Sequence, residues 1–107
     1  MTTLRQILQE MDQKPSTAWL YLPVSQEWDL DSQCAILESE EVPPDLEDDP
    51  EAGIPVFAKK NGLKQVLPVA TVQDIVSNAR AQRPRLDIGD LLTAFLFYYK
   101  NDAFIAF

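Results

Sequence analysis

The sequence contains no histidine. That excludes Ser-His-Asp and Cys-His nucleophile pairs and any imidazole metal ligand. It has a single cysteine, Cys34, which excludes an internal disulfide and a cysteine-rich zinc site. Glycine is scarce: Gly53, Gly62 and Gly89 are the only three, too scattered for a phosphate-cradling loop. Bases are outnumbered 9 to 17, for a net charge of −8. Phosphate binding draws on clustered Lys and Arg, so nucleic acid is not expected as a direct ligand. No long apolar run is present. The longest, Leu91 to Tyr99, is interrupted by Thr93 and falls short of the roughly 20 residues of a membrane span. Met1 to Gln13 carries charges and glutamines in place of a signal-peptide core. A cytoplasmic location follows as the default, and an unpaired thiol agrees with a reducing compartment.

What is present suits a single domain over residues 1–107. Hydrophobic residues make up 46% of the chain, enough for one core without staples. Met1–Gln13 reads as an amphipathic helix capped by Thr2 or Thr3, with Leu4, Ile7, Leu8 and Met11 on one face. Thr17–Pro23 and Gln33–Glu38 read as strands, separated by a polar turn that contains Trp28. Ile54–Ala58 reads as a short strand, and Asn61-Gly62 has the chemistry of a hairpin turn leading into a strand over Leu63–Val69. A helix through Ala58–Leu67 remains open as the alternative.

The C-terminal third is helical. Thr71 and Asp74 fit a capping box before Val72, Ile75, Val76 and Ala79. Asp87 fits the N-cap of the next helix, with Asp90 at its N3 near the positive end, and that helix runs to about Lys100. This second helix is apolar on nearly all sides, which demands a central position or a covering partner. The tail, Asn101–Phe107, is expected to dock back on the sheet. The class is α+β: a small, mostly antiparallel sheet with an N-terminal helix and two C-terminal helices packed on it.

Charge is unevenly distributed. From Pro15 to Ala58 there is no Lys or Arg, while 11 of the 17 acids fall there: Glu27, Asp29, Asp31, Glu38, Glu40, Glu41, Asp45, Glu47, Asp48, Asp49 and Glu51. All nine bases face only six acids in the rest of the chain. Part of this run, about residues 39–53, reads as a proline-containing loop. Solubility alone accounts for many such loops. Two features favour a function: the run has no compensating base, and Trp19, Tyr21 and Trp28 flank it. Aromatics beside a one-sign patch are the composition of a protein-binding surface, and the charge would steer a basic partner.

Catalytic and metal chemistry find little support. Asp29 with Asp31, or Asp48 with Asp49, could pair as acid and base, but polar loops leave them solvated. Glu47, Asp48, Asp49 and Glu51 lack the spacing of an EF-hand loop. Cys34 sits in an apolar strand and reads as an inert core thiol. Arg80, Arg83 and Arg85 cluster at a helix end, where they complement its dipole. No nucleophile, base and orienting group occur together, so neither an enzyme nor a cofactor is expected. Tyr98 and Tyr99 are candidates for an interface, because their helix carries more apolar surface than one core face takes.

A small acidic single domain of this kind, with the stretch Glu38–Glu51 beside Trp19, Tyr21 and Trp28, resembles the immunity proteins of bacterial toxin–immunity systems, including contact-dependent growth inhibition. Thr71–Ile105 also reads like the C-terminal half of a small bacterial family. The resemblance implies a basic, nuclease-type toxin domain as partner, with carboxylates placed where nucleic-acid phosphates would go. The alternative is a homodimeric accessory protein joined through the Phe95–Tyr99 helix. A small enzyme or ligand-binding protein with an apolar pocket has the weakest support.

Overall fold

A computed structural model describes residues 2–24, 27–38 and 56–107. The chain forms β1 (Thr2–Thr3), α1 (Leu4–Gln9), a single 3-10 turn (Met11–Gln13), β2 (Trp19–Pro23), β3 (Gln33–Leu37), α2 (Val56–Lys60), β4 (Leu63–Pro68), α3 (Val69–Gln82) and α4 (Ile88–Asn101). The four strands make one sheet in the order β1-β3-β2-β4, antiparallel throughout. The α+β class, the N-terminal helix and the two C-terminal helices are as the sequence indicates.

Alternation along β2 separates the two faces of the sheet. Leu20 and Leu22 point to the main core, where they and Cys34 meet Leu4, Ile7, Leu8 and Met11, the buried stripe of α3, and Leu91, Ala94 and Phe95 of α4. Trp19 and Tyr21 point to the opposite face, where Tyr21, Ala35, Ala58 and Leu63 form a second, smaller core. The β2–β4 register shifts between Leu20 and Tyr21, so that Leu67 opposes Leu20 while Gln65 opposes Tyr21. The extra residue, Val66, is a bulge. It lets both Val66 and Leu67 pack on the main core.

Helix ends follow local chemistry. Thr3 caps α1 by accepting from the Gln6 N–H. Asp87 caps α4 as expected, and Asp90 returns the bond to complete a reciprocal box, at 2.9 and 3.2 Å. Asp102 closes α4 in the left-handed region, φ 52°, with its N–H on the Tyr98 carbonyl.

Four expectations are corrected. α1 ends at Gln9 and hands over to the 3-10 turn. α3 begins at Val69 with Pro68 at its N-cap. Thr71 is therefore inside the helix, and the Val69 N–H is satisfied by the Ala18 carbonyl across the chain. Residues 56–60 are helical rather than extended, and Gly62, at φ +65°, ends that helix instead of joining two strands. The tail docks on the helices and not on the sheet. Gln82 donates to the Ile105 carbonyl at 2.8 Å and accepts from the Phe107 N–H at 3.0 Å, while Phe104 packs on Tyr98.

Candidate partner-binding site

The connection from β2 to β3 places three carboxylates at one end of the sheet. Its final turn is built by Asp29 and Ser32. The Asp31 N–H donates to Asp29 Oδ1 at 2.8 Å, and the Asp29 N–H donates to Ser32 Oγ at 2.9 Å. This is an Asx-type turn, in which a short carboxylate replaces a backbone acceptor. The turn is locked to the N-terminus, since the N–H groups of Leu4 and Arg5 donate to the carbonyls of Ser32 and Leu30. Arg5 also reaches Asp31 at 3.4 Å, but the Asp31 side chain is 82% exposed. Such a pair is screened and contributes little to stability. Glu27, Asp29 and Asp31 line an open groove of about 460 Å³, whose other walls include Val24, Asn61, Gly62 and Leu63. Val24 is a large apolar side chain left mostly in water.

Glu38 stands elsewhere. It lies just beyond the far end of β3 and accepts from Thr17 Oγ1 at 2.8 Å. At about 3.3 Å per residue, the strand holds it roughly 20 Å from the Asp29–Ser32 turn. The acids between β2 and β3 and the acid after β3 are thus two separate positions. The loop expected at about 39–53, with Glu40, Glu41, Asp45, Glu47, Asp48, Asp49 and Glu51, lies outside the described residues.

The three flanking aromatics part company. Tyr21 is fully buried in the second core and accepts a weak hydrogen bond from Gln65 Nε2 at 3.4 Å. It is a packing residue, which corrects the expectation that it faces a partner. Burial follows from its place on the central strand, paired with β3 on one side and β4 on the other. Trp19 is half-buried at the edge of the same cluster, beside Leu37. Trp28 is half-buried at the other end, where its indole N–H donates to the Pro23 carbonyl at 2.9 Å. Its ring meets Tyr99 edge-on at 4.8 Å and lies 6.4 Å from Phe95. Of the two interface candidates, Tyr98 is partly covered by the chain's own Phe104, while Tyr99 is exposed on one side and packed against Trp28 on the other.

Sequence reasoning missed Lys64. Its ammonium lies 5.2 Å from the Trp28 ring centre and 5.7 Å from that of Tyr99. The signal was available only as period-two alternation from Leu63, which puts Lys64 on the core-facing side of β4. The strand itself was ambiguous in the sequence.

Cys34 is buried, and loss of solvation pushes its thiol up from 9.0 to about 12. A thiol held neutral in this way is a poor nucleophile at physiological pH. Among the described residues, no three acidic or thiol side chains come together as a metal site. None of the described helices is long and apolar enough to cross a membrane. Arg80 falls in the last turn of α3, and Arg83 just beyond it lies 3.8 Å from Asp90 and stacks over the Phe107 ring.

The chain belongs to the family described as Domain of unknown function (DUF7716), whose model matches residues 1–107. No curated protein and no solved structure matches it.

Proposed function

We propose that this protein is a non-catalytic inhibitor that binds another protein, an immunity protein that neutralises a cognate basic, nuclease-type toxin domain through its acidic surface. The observation that carries this reading is the groove at the end of the sheet. There Glu27, Asp29 and Asp31 stand around exposed Val24, and all four belong to a stretch of chain, Pro15 to Ala58, that holds 11 acids and no base. Carboxylates around an exposed apolar side chain suit a cationic surface, with the charges setting the rate of encounter and the apolar contacts the lifetime of the complex. Trp19 and Trp28, each partly exposed, are the available anchors. The charge of the 39–53 stretch adds to the same steering field.

A homodimeric accessory protein is the second reading. It rests on Phe97, Tyr99 and Phe104, exposed on or just after α4. One experiment separates the two. The tagged protein is used to capture partners from lysate of its source cells, and its own mass in solution is measured alongside. The inhibitor reading expects a monomer that retains one basic polypeptide in equal amount and blocks that polypeptide's nuclease activity. A stable dimer that retains nothing contradicts it.

A further inference from the structure

Beside the acidic groove, and sharing Glu27 with it, Trp28, Lys64, Leu96, Tyr99 and Lys100 line a cleft of about 380 Å³. The volume is within the range of small-ligand sites. Two features make it more than a gap. The first is its cation. Lys64 springs from the core-facing side of β4 opposite Leu22, is half-buried, and among the described residues pairs with no carboxylate. Its ammonium lies over the two ring faces, at 5.2 and 5.7 Å from their centres. Rings attract a cation but do not neutralise it, so the ammonium keeps its capacity to donate to an anion. The second is its wall. The Trp28 and Tyr99 rings are set edge to face, and Trp28 is fixed by its bond to the Pro23 carbonyl. The wall therefore stands already formed.

We propose that this cleft binds an aromatic carboxylate, whose anion takes the Lys64 ammonium and whose ring packs against Trp28 and Tyr99. Lys100 is a second cation in the lining of the cleft. Glu27 in the lining disfavours a second negative charge on the ligand, so a monoanion is preferred over a dianion. The volume accommodates a single ring with a short chain. This inference does not rest on the inhibitor reading, and either can fail without the other.

The test uses the full chain labelled with ¹⁵N, titrated with 3-phenylpropionate and, separately, with its neutral amide. Binding is read from the indole N–H signal of Trp28 and from the backbone signals of residues 64 and 96–100. A fragment of this size is expected to saturate by about 10 mM. The acid should bind about tenfold more tightly than the amide, and Lys64→Gln should lose that factor for the acid while leaving the amide unchanged. Lys64→Arg should retain most of it. Tyr99→Ala should weaken both ligands, and it keeps the test open if the Lys64 variants fold poorly. Absence of saturable shifts, equal binding of acid and amide, or shifts spread outside the cleft overturns the proposal.

Discussion

Truncating Tyr21 distinguishes a packing residue from a partner anchor. Its side chain is fully buried between the sheet and α2, against Ala35, Ala58 and Leu63. An aromatic side chain of this kind hides about 150–250 Å², which at about 25 cal/mol per Å² is about 4–6 kcal/mol of transfer free energy. Alanine retains the Cβ, so Tyr21→Ala should cost about 3–5 kcal/mol, much of the stability of a small domain. At about 4 °C per kcal/mol for a chain of this length, the melting temperature should fall by about 15 °C. Tyr21→Phe keeps the ring and should cost about 1 kcal/mol. Urea unfolding followed by tryptophan fluorescence measures both. A loss below about 1 kcal/mol for Tyr21→Ala would refute the assignment, because it would mean that the outer face of β2 is open to solvent.

Further expectations concern the thiol and the tail. Cys34 ionises near 9.0 in the unfolded chain but only near 12 in the folded one, because burial disfavours the thiolate. Above pH 9 the unfolded chain releases a proton that the folded chain keeps, so stability should fall as pH rises from about 9 towards 12. Cys34→Ala should flatten that slope in urea titrations at pH 8 and pH 10, and the native thiol should resist a disulfide reagent until the protein is unfolded. Gln82→Ala removes both hydrogen bonds to the tail, at Ile105 and Phe107. Amide exchange over residues 103–107 should rise, with a stability loss of about 1–2 kcal/mol and little change in the sheet.

The parts of this fold that are legible in the sequence are those determined locally. Asp87 and Asp90 announce α4 because their capping bonds span three residues. The strands over Trp19–Pro23 and Gln33–Leu37 show through their apolar content. What stays hidden depends on distant partners. Pro68 starts α3 because the orphaned Val69 N–H finds the Ala18 carbonyl, so the better-looking cap at Thr71 goes unused. The Val66 bulge has no glycine to mark it. The tail looks apolar enough for the sheet, yet Gln82 draws it to the helices by two bonds that no periodicity reveals. The candidate site divides in the same way. Asp29 and Asp31 were visible as acids, but their separation from Glu38 by the length of β3, and the burial of Tyr21, are consequences of strand pairing.

The central claim is that acidic groups at the end of the sheet steer a basic partner, and the association rate measures it most directly. With the captured partner immobilised, the rate is recorded for the native chain, for Glu27→Lys and for Asp48→Lys/Asp49→Lys across a range of salt. Glu27 is exposed and takes no part in the turn bonds of Asp29, so its reversal leaves the fold intact. The rate should fall by about tenfold or more as screening increases, and each reversal should lower it further at low salt while changing the dissociation rate far less. A rate indifferent to salt and to both reversals would contradict the account.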